Sequence, residues 1–126
     1  FNGKVKKTLA NVHYVGYVSD QELVSLYRHA KGFVYPSLYE GFGIPPLEAM
    51  YFGCPVIVSN SASLPEACGE AALYCNPYDE NKLKSDIEDF VNNPEKRKKY
   101  IALGVQRIKN FQWQNEACEL LKEIET

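Results

Sequence analysis

Residues 36 to 50 read PSLYEGFGIPPLEAM, and two carboxylates, Glu40 and Glu48, stand among them with seven residues between. No lysine or arginine occurs in this stretch to pair with either. At helical spacing Glu48 neighbours Ile44, Pro45, Tyr51 and Phe52, so no local salt bridge can form. A carboxylate set among Leu47, Ala49 and Met50 is costly unless it is hydrogen-bonded. A ribose diol answers that need, because two O–H donors matched to two carboxylate oxygens make short, charge-assisted bonds. Glu40, in the preceding loop, would reach another part of the same ligand, and the hydroxyls of a sugar beyond the phosphates are the natural match. Gly41 and Gly43 permit positive φ and let a ligand approach the main chain closely. Pro45 and Pro46 suit the first turn of a helix. The N-terminus of such a helix offers unpaired N–H groups and the positive end of its dipole to a phosphate. The prolines carry no donor, so the amides of Phe42, Gly43, Ile44 and Leu47 would form the cradle. No G-K-[ST] follows, which excludes a Walker loop.

The elements that must position these groups are legible as an alternation. VHYVGYV (12–18), with its glycine, reads as a strand running into a loop, and Ser19 with Glu22 makes a capping box. The helix that follows is expected to bury Leu23, Leu26, Tyr27 and Ala30 and to end at Gly32. GFVYP (32–36) reads as a short strand, the segment after Pro45 as a helix to about Phe52, and Gly53 as its stop. PVIVS (55–59) is a continuous β-branched run, typical of a strand covered on both faces. A loop (59–70) with one helical turn after Pro65 leads to the strand AALYC (71–75). A helix beginning near Asp79 presents Leu83, Ile87, Phe90 and Val91. Asn93–Pro94 opens another, with Tyr100, Leu103, Arg107 and Ile108, and a last one carries Trp113, Ala117, Leu120, Leu121 and Ile124. Short strands alternating with helices predict βαβ crossovers and a Rossmann-like parallel sheet with flanking helices, an α/β fold. Ligands in such sheets bind beyond the carboxyl ends of the strands, where the Glu40–Glu48 segment begins.

The chain has 126 residues, enough for one domain, and 45 % of them are hydrophobic and 24 % charged, as in a folded soluble protein. A net charge of −2 gives no general attraction to nucleic acid. No apolar run is long enough to span a membrane. The first residue, Phe1, is not methionine, which suggests an excised piece of a longer chain. Cys54, Cys68, Cys75 and Cys118 form no C-x-x-C pair and are expected to be small core residues. His13 and His29 are expected in structural or surface positions. No G-x-S-x-G occurs, and no cysteine has a histidine at motif spacing. PEKRKKY (94–100) reads first as a solvated helix face and second as an attraction to anionic lipid. Trp113 reads as a packing residue.

With these residues in view, E-G-F-G-I-P-P-L-E-A-M resembles the signature of retaining glycosyltransferase family 4, whose members pair two Rossmann-like domains in the GT-B arrangement. V-H-Y-V-G-Y-V-S-D-Q-E-L, G-F-V-Y-P-S, G-C-P-V-I-V-S-N and L-P-E-A-C-G-E-A-A-L-Y resemble consecutive blocks of its C-terminal, donor-binding domain. S-x-S-L-P-E and G-[DE]-A-A-L resemble mannosyl- and rhamnosyltransferase-like members that build bacterial surface polysaccharides. The resemblance implies one nucleotide-sugar-binding domain over residues 1–126, helical from about 79 to 126, the C-terminal half of a GT-B fold without its first elements. It implies that Glu48 holds the ribose of a GDP- or UDP-linked sugar. Glu40 would be the catalytic carboxylate, binding sugar hydroxyls and steadying charge near the anomeric carbon. Gly41, Phe42, Gly43 and Ile44 would contact sugar and phosphates, with Leu47 nearby. Tyr17 and Val18 would bracket the nucleobase, and Ser37 would lie beside the crevice. No cofactor and no metal are implied, since the cradle consists of amides and cations rather than chelating carboxylates. Ser61, Ala62, Ser63 and Leu64 stand where many relatives carry a glycine pair, which leaves Glu66 outside the expected site. The resemblance also implies an N-terminal acceptor domain and upstream cations that clamp the diphosphate, so the piece alone should not transfer sugar. A cytoplasmic enzyme, peripheral at the inner face of the membrane through 94–109, is the expectation. The rival expectations are a nucleotide-sugar epimerase or hydrolase on the same scaffold, and a non-catalytic binding module.

Overall fold

The structure is a computed structural model and describes residues 10–38, 44–61 and 63–110. Trp113, Cys118 and the last expected helix lie outside these residues. The first helix, α1 (Asp20–His29), starts where the capping box puts it. The Glu22 amide donates to Ser19 Oγ at 3.1 Å, and the Ser19 amide donates to Glu22 Oε1 at 3.0 Å. α1 ends at Ala30, whose backbone is extended, two residues before the expected stop at Gly32.

Strand β1 (Phe33–Tyr35), helix α2 (Ile44–Tyr51), strand β2 (Val56–Ser59), helix α3 (Leu64–Cys68), a 3₁₀ turn (Gly69–Ala71) and strand β3 (Ala72–Cys75) follow. Helices α4 (Glu80–Asn92) and α5 (Pro94–Asn110) complete the order. Among the described residues the sheet is three-stranded and parallel, β1-β2-β3. Phe33, Val56 and Ala72 share a register position, as do Val34, Ile57 and Leu73, and Tyr35, Val58 and Tyr74. Alternate positions therefore point to opposite layers. Phe33, Tyr35, Val56, Val58, Ala72 and Tyr74 pack in the larger core with residues of α1, α2 and α3, while Val34, Ile57, Leu73 and Cys75 pack with Phe90 and Ile87 of α4. With both faces covered, β2 has no polar side to show, which explains its unbroken β-branched run. This is the Rossmann-like α/β architecture that the sequence predicts.

Two expectations need correction. The segment 12–18 is not a strand: it pairs with no described strand, Gly16 breaks the extended path at φ +63°, and Tyr17 is 97 % exposed. An apolar, β-branched run marks a segment that can pair, but only a neighbouring ladder makes it a strand. The inward side of α1 is also rotated from the expected one. Val24 and Tyr27 are buried and Leu23 partly so, whereas Leu26 is 47 % exposed and Ala30 lies outside. The helix rests on the core along a single narrow stripe, and Leu26 turns toward the 12–18 segment instead.

Gly53 ends α2 as expected. It stands at φ +80°, its amide donates to the Met50 carbonyl, and the Cys54 amide donates to the Ala49 carbonyl. No atom lies within 4 Å of where a Cβ would stand, so Gly53→Ala acts through the backbone alone. It is expected to cost about 1 kcal/mol, with Gly53→Asn recovering part, as read from denaturant midpoints. Gly104 lets α5 lie close on α2, since a Cβ there would stand 3.1 Å from Met50 Cγ.

Half of the basic run opening α5 is used inside the fold. Asn93 Oδ1 accepts from the Lys96 amide, Lys96 pairs with Asp89, and Arg97 donates to the Phe90 and Val91 carbonyls at the end of α4. Arg107 likewise donates to the Ala67 and Glu66 carbonyls at 3.0 and 2.6 Å, closing the end of α3. Lys98, Lys99 and Lys109 remain at the surface.

Candidate functional site

The strands run parallel, so Tyr35, Ser59 and Cys75 end at one edge of the sheet. The chain leaves β1 there through Pro36, Ser37 and Leu38 and begins α2 at Ile44. Glu40, Gly41, Phe42 and Gly43 lie outside the described residues. Ile44 and Ser37 are both half-buried, at the start of α2 and just after β1. Leu47 is 0 % exposed and part of the core, so its backbone alone could face a ligand. At the end of β2, Ser59 is buried and its Oγ accepts from the Ser61 amide at 3.0 Å.

Glu48 is in the second turn of α2 and half-buried, and it faces α1. The Tyr27 hydroxyl donates to its Oε2 at 3.3 Å. Tyr27 is only 5 % exposed, and its ring stands edge-on to Phe33 at 5.4 Å and stacks on Phe52 at 6.2 Å. Burial pushes the Glu48 carboxyl above its ordinary pKa, the Tyr27 bond pulls it back, and the nearby Asp20 carboxylate pushes it further up. Burial, and then the Glu48 charge, hold the Tyr27 hydroxyl well above the usual tyrosine range. Asp20 and Tyr27 are seven residues apart on α1 and so lie on one side of it. Glu48 thus faces that side of α1.

Tyr17 and Val18 immediately precede the Ser19 cap and line an open cleft of about 320 Å³ with Val15, Glu22, Ser25 and Leu26. Glu48 does not line this cleft. The structure therefore sets the two groups against different sides of α1. Glu66 is exposed on α3, and its carbonyl is held by Arg107.

Sequence reasoning missed Tyr27 as the partner of Glu48. A signal was present: a tyrosine on an inward helical stripe must place its hydroxyl, and the apolar α2 offers one ionisable acceptor. The other polar candidates are unremarkable. Cys54, Cys68 and Cys75 are buried, and burial raises their thiols, Cys54 and Cys68 to about 11, which keeps them protonated and unreactive. His13 and His29 are exposed, and His29 Nδ1 lies 2.8 Å from the Ser25 carbonyl of its own helix. Among the described residues no three His, Cys, Asp or Glu side chains converge as metal ligands, and no helix is long and apolar enough to cross a membrane.

Comparison with known proteins identifies the family. The model of the family "Glycosyl transferases group 1" matches residues 4–107. The chain is 44 % identical over 104 residues to the O-antigen chain mannosyltransferase B of Escherichia coli, covering 82 % of this chain and 27 % of that protein. It is 32 % identical over 134 residues to the MMP alpha-(1->4)-mannosyltransferase of Mycolicibacterium hassiacum, covering 98 % of this chain and 33 % of that one. A glycogen synthase of Mycobacterium tuberculosis is 32 % identical over 114 residues, covering 88 % and 28 %. The chain spans about a quarter to a third of the length of these three relatives. With the family match running from the segment before α1 to the end of the last described helix, the chain belongs to the group 1 glycosyl transferases.

Proposed function

We propose that this chain is the donor-binding part of a retaining glycosyltransferase. The parent protein moves a hexosyl group from a GDP- or UDP-linked sugar to a glycan or lipid-linked acceptor in surface polysaccharide synthesis. The observation that carries this reading is Glu48: a half-buried carboxylate in the second turn of the helix that begins at the carboxyl edge of a parallel sheet, bonded by the Tyr27 hydroxyl and near enough to Asp20 to feel its charge. A ligand bringing two adjacent hydroxyls relieves the cost of that burial, and the ribose of a nucleotide has them. The family match and two mannosyltransferase relatives support sugar transfer as the chemistry. In this reading Glu40 and the amides of 41–44 take the sugar and phosphates, and Tyr17 and Val18 flank the base from the other side of the start of α1. The protein's part in the reaction is to hold the departing diphosphate and orient the sugar for attack on the same face. A contact with an anionic membrane through 94–109 would fall to Lys98, Lys99 and Lys109, the other cations being used within the fold.

The full-length parent, incubated with GDP- and UDP-hexoses and a lipid-linked or glycan acceptor, is expected to yield a new glycosidic bond. Residues 1–126 alone are expected to give no product above background, because the two mannosyltransferase relatives are about three times as long and an acceptor must be held opposite the donor. An epimer or free sugar in place of the transfer product would assign the rival chemistry to the same scaffold. Failure of the parent to bind any nucleotide sugar would leave an assembly module.

A further inference from the structure

We infer that Tyr27 is a positioning residue for Glu48, holding that carboxylate in the orientation in which it meets the two ribose hydroxyls of a nucleotide. The inference rests on the donor-site reading above. A glutamate side chain turns about three bonds, and fixing it at the moment of binding costs entropy. Tyr27 removes that cost in advance. Its ring is locked between Phe33 of β1 and Phe52 beyond α2, it is almost wholly buried, and its hydroxyl therefore reaches one place only. That place is Glu48 Oε2. The bond joins the last turn of α1 to the second turn of α2, so it also ties the two helices together.

The bond also selects the charge state. A hydroxyl donating to a carboxylate favours the ionised form, which is the form that accepts from a diol. Among the described residues, the charged and titratable groups that act on the pair oppose it or are neutral. Asp20 of α1 repels the charge on Glu48, and Tyr35 of β1 and Cys54 after α2 are neutral neighbours of Tyr27. Arg28 of α1 lies over the far ring, Phe52, at 5.3 Å. Removing the Tyr27 hydroxyl leaves burial and Asp20 to raise the Glu48 carboxyl further.

Tyr27→Phe in the full-length parent tests this, because the ring packing is kept and the hydroxyl alone is lost. The probes are GDP and UDP and their 2′,3′-dideoxy counterparts, titrated by calorimetry from neutral to acid pH. Affinity for the ribonucleotide is expected to fall about fivefold, a modest effect in keeping with a long bond. Affinity for the dideoxynucleotide is expected to stay unchanged, and the loss of ribonucleotide binding on acidification to begin at higher pH than in the unmodified protein. In a Glu48→Gln background the Tyr27→Phe effect should shrink, whereas independent effects would add. Equal losses for both nucleotides, or unchanged ribonucleotide binding, would overturn the role of Tyr27 while leaving the donor site standing. If the unmodified protein itself binds ribo- and dideoxynucleotides alike, the ribose role of Glu48 fails, and the role of Tyr27 with it.

Discussion

Glu48→Ala in the full-length parent is expected to weaken binding of a ribonucleoside diphosphate about 100-fold. The figure follows from two charge-assisted hydrogen bonds to the ribose, together about 3 kcal/mol. Titration with GDP, UDP and their 2′,3′-dideoxy forms measures it, and the alanine variant should bind ribo- and dideoxynucleotides alike. The fold itself should tolerate the change. The substitution removes a carboxylate that burial already disfavours, and it leaves the Tyr27 hydroxyl without its acceptor, so the two effects oppose each other. Glu48→Gln keeps an acceptor for Tyr27 but loses the charge, and should fall between alanine and the unmodified protein. The pH dependence has a definite sign. Burial and Asp20 favour protonated Glu48, while the ribose hydroxyls favour the ionised form, so proton and nucleotide compete. Affinity should therefore fall as the pH drops through a carboxyl pKa above the ordinary glutamate value, and nucleotide binding should release protons. Both variants should lack this acid limb, and an acid limb that persisted in them would assign it to another group.

Leu47→Ala is expected to do the opposite: to cost stability and leave the nucleotide preference intact. Leu47 is 0 % exposed and packs in the larger core with Val56, Val58 and Leu64 nearby. Truncating a fully buried leucine costs about 3 kcal/mol, from lost transfer energy and from the cavity left behind. For a domain of ordinary marginal stability that is a large share of the total. Thermal unfolding of the full-length parent should show the transition of this part lowered, while the folded protein keeps its discrimination between ribo- and dideoxynucleotides. A lost preference at unchanged stability would instead make the Leu47 side chain part of the ligand contact. The pair Glu48 and Leu47 is instructive because the residues are adjacent. One turn of α2 sends its leucine into the core and its glutamate toward α1, so neighbouring substitutions separate folding from binding.

How much was legible without coordinates varies by element. The start of α1 was written in Ser19 and Glu22, whose reciprocal bonds involve residues three apart. The end of α2 was written in Gly53, which alone can take its backbone angle without cost. The sandwiched position of β2 followed from a run with no polar side, and the start of α4 from Asp79, whose carboxylate accepts from the Lys82 amide. The segment 12–18 misled because its composition describes a capacity to pair, not a partner. α1 misled because Leu23, Val24, Leu26 and Tyr27 offer apolar stripes on more than one side, and the intrinsic pattern does not rank them. The basic run of α5 was expected to be solvated, yet its Arg97 closes the end of the neighbouring α4, and Arg107 further along the helix closes the end of α3, far away in the chain.

By itself, the sequence determined the caps of α1 and α4, the stop of α2, the order of the strands and helices from α1 onward, and the location of a glutamate without a local counter-charge near the start of a helix. These depend on residues a turn or a strand apart, whose interactions exist wherever the segment is placed. Only the tertiary structure decided which side of α1 faces inward, that Leu47 and Glu48 have different fates, and that a tyrosine 21 residues away donates to Glu48. Those outcomes are set by how α1, α2 and the sheet pack together, and no local pattern encodes the meeting of two side chains brought together only by a shared core.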